Sequence, residues 1–485
     1  MHVKLKAVMV NAAYLFASHV LVRLLTAFAT ILVARYLNVH DYGILSLALS
    51  YCLVTAFFTE LGFTHTLIRE GTKNKADLNV LMSSYFRARA FITLLTLLFT
   101  IVLVWFLYES TIREALYWAT IPSIIGSLFV GLGVQYFQVT QQMKFSALIR
   151  SITGGVTALV LFVGVYYELS LIALAAIYGF STVLGGIISC SFVWRKVKLN
   201  AGWDRAILHG VASFTITSFV IMIMPQIGPL VLERISTMTE VGYFSAAYRV
   251  PSILYQIPSV LALAFYPLLF KLGNSKDAAA HKRLNVMQIK FMSITGMMIS
   301  LPFILYPDWW IGILLGDKWA GAATILSILS YIVILQSINS PLSDSLATTG
   351  LHKRRSYFSL AIFAIGIFTY VLLGRQYGAL GGGYAALTVE ALTLVGLIII
   401  KPSGVKLFFA GVSRTFTGFA VAWLMGMLIS RYTGLSPLLG MIVVEIVFFM
   451  LVLVLEKELR EGITGVIAKK LKIGRSKPFV ENQVP

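Results

Sequence analysis

Runs of apolar residues long enough to cross a membrane recur along almost the whole chain. A backbone inside lipid must satisfy its own N–H and C=O groups, so each such run is expected to become an α-helix. A crossing takes about 20 mostly apolar residues, and fourteen windows meet that length, from 11–34 at the start to 436–455 at the end. Only 12% of the 485 residues are charged, about half the usual share of a soluble chain. The fold class expected is therefore all-α and integral to the membrane, with about 14 transmembrane helices. The first run is too long for the apolar core of a secretory leader and lacks a small-residue cleavage pattern, so it reads as helix one.

Basic residues orient these helices. With both termini cytoplasmic, 31 of the 39 lysines and arginines fall in inward segments and only six in outward ones. Such a bias sets orientation and favours an even number of spans. A net charge of +19 would suit nucleic acid, but the charge is spread over short loops with no soluble domain to use it, so no nucleic-acid partner is expected. The cytoplasmic loops and the tail "KKLKIGRSK" are expected to meet anionic lipid headgroups. Cys52 and Cys190 both lie in apolar spans, which argues against a disulfide framework or a cysteine metal site.

An internal similarity divides the chain. "RYLNVHDYGILSLA" from Arg35 and "RISTMTEVGYFSAA" from Arg234 share Arg, an acid, Gly, Ser and Ala at a fixed offset of 199 residues. Both enter an odd-to-even helix turn on the same side, so helices one and two correspond to seven and eight. The repeat is then parallel, of the kind transporters use to place a site between halves. The expected organisation is a six-helix bundle over 1–200, a second over 201–400, helices 13 and 14 over 401–456 and a basic tail over 457–485.

Charges inside spans carry the functional reading. An arginine at the centre of a membrane helix costs about 2.5–3.5 kcal/mol on insertion scales and faces protein or a wet cavity. Arg23 is mid-span in helix one, with His19, Thr26 and Thr30 along the same narrow face. Helix eight repeats the pattern with Arg249, Ser252 and Gln256, and helix ten adds Gln336 and Asn339. The alternative for both arginines is purely structural: bonding to carbonyls for Arg23, snorkelling to the interface for Arg249. Glu60 and Asp344, near the cytoplasmic ends of helices two and ten, are the possible coupling carboxylates, with simple exposure to water as the alternative.

Enzyme signatures are missing. There is no HExxH, GxxxxGK[ST] or GxSxG, and the seven histidines lack ligand spacing. No catalytic residue, metal or cofactor is expected. A membrane glycan polymerase would carry a large outer loop, and none is evident.

Several stretches carry a family resemblance. "YLNVHDYGILSLALSYCLVTAFFTELGFTHTLIRE" resembles the amino-terminal signature of bacterial polysaccharide exporters, the Wzx-type flippases of the multidrug/oligosaccharidyl-lipid/polysaccharide superfamily. "YFQVTQQMKFSALIR" and "VGYFSAAYRVPSILYQIPSVLALAFYPLLFKL" extend the match. The Gly-acid-Lys-Trp element at Gly316–Trp319, followed by helix ten, looks most like the colanic-acid and teichuronic-acid exporter branch. The resemblance implies a bacterial inner-membrane transporter of two six-helix bundles around a central cavity, moving undecaprenyl-diphosphate-linked oligosaccharide outward by alternating access. Polysaccharide polymerase and assembly proteins are the implied partners. In related lipid II flippases, cavity arginines stand on helices one, two and eight; Arg23 and Arg249 fall on two of these, whereas helix two here has Tyr51 and Cys52 near its middle. A diphosphate suits arginine, whose planar fork donates paired hydrogen bonds to phosphate oxygens and stays protonated. A cation-coupled exporter of small amphipathic molecules on the same fold is the alternative.

Overall fold

The structure is a computed structural model describing residues 2–73, 77–209, 211–275, 277–456 and 460–461. Helices account for nearly all of it, and no strand occurs among the described residues. In order they are α1 (His2–Tyr36), α2 (Val39–Glu60), α3 (Phe63–Gly71), α4 (Leu78–Leu107), α5 (Ser110–Val139) and α6 (Met143–Tyr166). Then come α7 (Leu171–Val193), α8 (Val211–Ile223), α9 (Ile227–Ile235), α10 (Met238–Leu254), α11 (Gln256–Asn274) and α12 (Ala278–Leu305). The last are α13 (Pro307–Leu314), α14 (Ala323–Thr348), α15 (His352–Ile400), α16 (Gly404–Tyr432) and α17 (Pro437–Leu455).

Eleven helices among the described residues are long and apolar enough to cross a membrane, or twelve if the bent pair Met238–Ala262 and Ala264–Asn274 counts as one span. The expectation of fourteen differs partly because two windows fall in one helix. Lys353–Ile400 is 48 residues, about 72 Å of helix, more than twice the hydrocarbon thickness. It breaks at Gly378, whose φ of 56° is a left-handed value that glycine adopts without strain. The Glu240 carboxylate braces the break, accepting the Ala379 N–H at 2.5 Å, as an anionic cap on a helix start does. The segment after Glu60 holds the short helix α3.

The chain divides into two compact units. One comprises Met1–Gln256, Asp308–Ile332 and Lys353–Thr393; the other comprises Ile257–Pro307, Val333–His352 and Leu394–Pro485. In the first, α5 packs on α7, α1 on α6 and α2 on α10. Small residues make these approaches possible. A Cβ on Gly179 would lie 2.5 Å from the Trp118 carbonyl oxygen, and one on Gly154 would lie 2.5 Å from Val22 Cγ1. Beneath α3, a dry core gathers Leu67, Met82, Tyr85, Phe137, Ile149 and Ile207.

The duplicated segments have the same local structure, residue for residue. α1 and α9 end at Tyr36 and Ile235, and extended Asn38 and Thr237 then cap α2 and α10, each accepting the N–H of an acid, Asp41 or Glu240. The two copies also pack on each other reciprocally. A Cβ on Gly43 would lie 1.9 Å from the Met238 carbonyl oxygen, and one on Gly242 would lie 2.2 Å from that of Val39. Val39 and Met238 are themselves one repeat apart. The fully buried Trp319 seals this crossing: its ring meets Tyr42 edge-on at 5.3 Å and Tyr243 at 6.1 Å. Its indole N–H donates to the Ala34 carbonyl at 3.0 Å, while the Lys318 ammonium donates to that of Arg35 at 2.6 Å. The Gly-acid-Lys-Trp element thus caps α1, whose last carbonyls lack helical partners and favour a cation.

In the second unit α12 packs on α16 and both pack on α17. A Cβ on Gly411 would meet Ile289, and one on Gly426 would meet Leu305, so α12 and α16 run in the same direction.

Candidate functional site

Helix α1 brings Arg23 onto the polar face of α10 and the start of α11. The Arg23 guanidinium donates to Gln256 Oε1 at 2.8 Å. Gln256 in turn donates through Nε2 to the Ser252 carbonyl at 2.9 Å, and the Ser252 hydroxyl donates to the Arg249 carbonyl at 2.7 Å. Arg249, Ser252 and Gln256 share one face because they lie three and four residues apart. Arg23 and Gln256 therefore meet side chain to side chain, while Ser252 and Arg249 join them through the carbonyls of one helical turn. Among the described residues, no carboxylate pairs with Arg23, which is exposed, or with Arg249, which is half-buried, and the Arg249 guanidinium makes no hydrogen bond there.

The other singled-out residues are disposed differently. Thr26 donates to the Val22 carbonyl at 2.7 Å and the buried Thr30 to that of Ala27 at 2.9 Å, so both hydroxyl protons stay within α1. The side chain of His19 lies outside the described residues. Gln336 and Asn339 belong to the second unit, half-buried and buried respectively. Asp344 lies there too, half-buried, with Oδ2 accepting from Gln288 Nε2 at 2.9 Å. Glu60 closes α2, half-buried and within electrostatic reach of Arg150.

Three polar clusters escaped the sequence reading. Arg89, counted there as an inward loop residue, is a buried member of α4 at 2% exposure. It donates to Tyr85 Oη at 2.9 Å and to the carbonyls of Thr59 and Ser127 at 3.3 Å. Gly131 leaves the room it needs, since a Cβ there would lie 1.8 Å from Arg89 Nη1. The i, i+4 pairing of Tyr85 with Arg89 was the available signal.

A second cluster is built on Tyr51, near the middle of α2. Tyr51 and Tyr108 join hydroxyls at 2.8 Å, and Tyr108 donates to Glu233 Oε1 at 2.6 Å. Arg234 pairs with the same oxygen at 2.6 Å and lies 4.6 Å above the Tyr108 ring. The network ties α2 and the end of α4 to α9.

In the second unit, Lys401 follows α15 at 8% exposure and donates to the Ser345 carbonyl at 3.1 Å and to Thr349 Oγ1 at 3.0 Å. No carboxylate pairs with it among the described residues, and burial pushes its ammonium pKa down to about 8. It lines a cavity of about 440 Å³ with His281, Lys282 and Ser403.

Comparison with known proteins follows the same fold. A solved structure of the lipid II flippase MurJ, in an inward closed conformation, superposes with a TM-score of 0.74 at 14% identity, covering 93% of this chain and 99% of that one. An inward-facing multidrug resistance MATE transporter of the MOP superfamily superposes at 0.65 with 12% identity, over 80% and 95% of the two chains. A MOP superfamily transporter from Pyrococcus furiosus gives 0.58 at 12% identity, over 84% and 96%. At these identities the likeness establishes the fold: a multi-pass helical membrane protein of the MurJ and MATE kind. No curated protein matches the sequence. The profile of the family described as "Polysaccharide biosynthesis protein" matches residues 32–324, more than half of the chain, and the chain belongs to that family.

Proposed function

We propose that this protein is a flippase for lipid-linked oligosaccharide, moving an undecaprenyl-diphosphate-linked glycan from the inner to the outer leaflet of a bacterial cytoplasmic membrane during surface polysaccharide biosynthesis. Membership of a polysaccharide biosynthesis family and the fold shared with a lipid II flippase support the reading. The observation that carries it is the pair of arginines without acids. A membrane cation that is not neutralised by protein is a cation held for a ligand. Arg23 and Arg249 are the proposed diphosphate contacts, with Gln256 and Ser252 as neutral donors beside them. Gln336 and Asn339 carry amides of the kind that bind sugar hydroxyls. Transport then needs no covalent step, only alternating access by the two six-helix halves.

The test is complementation of a deletion strain. With Arg23→Ala or Arg249→Ala at wild-type protein level, surface polysaccharide is expected to fall at least about tenfold, since one charge-assisted hydrogen bond contributes about 1.5–3 kcal/mol. Wild-type polysaccharide from both variants would remove the arginines from the site. The MATE-like fold keeps one second reading in view, a cation-coupled exporter of small amphipathic molecules using Glu60 or Asp344. That reading predicts altered drug susceptibility on deletion with polysaccharide intact.

A further inference from the structure

The second unit carries a cationic groove that the proposed transport site does not use. It lies between α12 and α16, has a volume of about 720 Å³, and is lined by Lys282, Arg283, Met287, Lys290, Phe409 and Arg414 among others. Lys282, Arg283, Met287 and Lys290 recur at helical spacing, so they form one stripe on α12. Phe409 and Arg414 supply the facing wall from α16. Lys290 is already neutralised, its ammonium 2.8 Å from Glu456 Oε2. Lys282, Arg283 and Arg414 are exposed and make no hydrogen bond or ion pair among the described residues.

Three unpaired cations alone would describe a wet surface. Here the floor between them is apolar and open: Met287 is 41% exposed and Phe409 59%. Both helices are long and apolar enough to cross a membrane, and the cations sit toward the ends from which α12 and α16 start, where a span passes from headgroups into hydrocarbon. Charge complementarity asks for an anion, and the apolar floor asks for hydrocarbon attached to it. Guanidinium groups bind phosphate oxygens bidentately, and basic pockets between membrane helices take phosphate headgroups.

We propose that the α12–α16 groove binds an anionic phospholipid, its phosphate held between Arg283 and Arg414 with Lys282 at the rim, and its first acyl methylenes laid along Met287 and Phe409. The site is distinct from the Arg23–Gln256 network, so it stands or falls independently of the transported substrate.

The test uses the purified full-length protein in neutral detergent, with bound lipid read by native mass spectrometry. Phosphatidylglycerol is expected to bind and phosphatidylcholine to bind at least tenfold more weakly. The double variant Arg283→Gln/Arg414→Gln should lower phosphatidylglycerol affinity roughly twenty-fivefold, about fivefold for each interfacial charge removed. Arg431→Gln, a charge at the far end of α16, should leave it unchanged and serves as the control. Equal retention of both lipids would overturn the proposal, as would wild-type affinity in the double variant or an equal loss in the control. Displacement of the lipid by excess inorganic phosphate would reassign the groove to a free anion. Thermal unfolding of each variant at the wild-type temperature ensures that affinity, not folding, is what changes.

Discussion

Arginine is tolerated inside a membrane protein to the extent that its five N–H groups find acceptors, and three arginines here differ in that respect. Arg89 donates to a tyrosine and two carbonyls, Arg23 to one glutamine, and Arg249 to no acceptor among the described residues. Arg89→Ala should therefore destabilise the fold by about 3–5 kcal/mol, the cost of breaking a buried charged network, read as a lowered unfolding midpoint in detergent. Arg23→Ala should leave the midpoint nearly unchanged and act on transport alone. Lys401 gives a pH-dependent prediction. Its folded pKa of about 8 lies below the ordinary value of about 10.4, so between those limits the unfolded chain binds more protons and stability rises with pH. Below pH 8 both states carry the proton and the rise is absent. Unfolding midpoints at neutral and alkaline pH should show the increase in wild type and its loss in Lys401→Gln; an equal slope in both would discard the assignment. Arg23, Ser252 and Gln256 were legible from spacing because polar residues stand out against an apolar span. Arg89 and Lys401 were not, since each stands at the edge of an apolar run, where charges read as loop charges.

Helices meet in this protein where side chains are smallest. The crossing of α2 and α10 has no room for a Cβ at either repeat glycine, whereas Gly155 on α6 has nothing within 4 Å of its hypothetical Cβ. Gly43→Ala and Gly242→Ala should each destabilise by about 1–3 kcal/mol through overpacking. Gly155→Ala should instead stabilise by up to about 1 kcal/mol, the helical preference of alanine over glycine. Equal midpoints for Gly43→Ala and Gly155→Ala would contradict the close crossing. The likeness of the two segments was visible in five matched positions, because a cap, an acid and a glycine at a tight crossing are constrained by backbone geometry. That the copies touch each other was not, because contact between segments 199 residues apart depends on packing. The break in α15 was legible as a gap between two spans, and the two helices do meet at a kink there, at Gly378.

On the scale of the whole chain, composition was the most informative signal. Sparse charge and long apolar runs forced a helical membrane protein; degenerate motifs in order resembled polysaccharide exporters, and the family match over 32–324 is to polysaccharide biosynthesis proteins. Number of spans was less legible, since bent and merged helices blur windows of fixed length. The proposed substrate chemistry rests on two arginines that have no carboxylate partner among the described residues. Reconstituted vesicles test this most directly: a polyprenyl-diphosphate-linked oligosaccharide is loaded into the inner leaflet and its glycan is followed as it becomes accessible to an external glycosidase. Wild-type protein is predicted to expose the glycan well above the protein-free rate, and Arg23→Ala to bring exposure close to that background. Exposure at the protein-free rate with folded wild-type protein, or full activity in Arg23→Ala, would contradict the account.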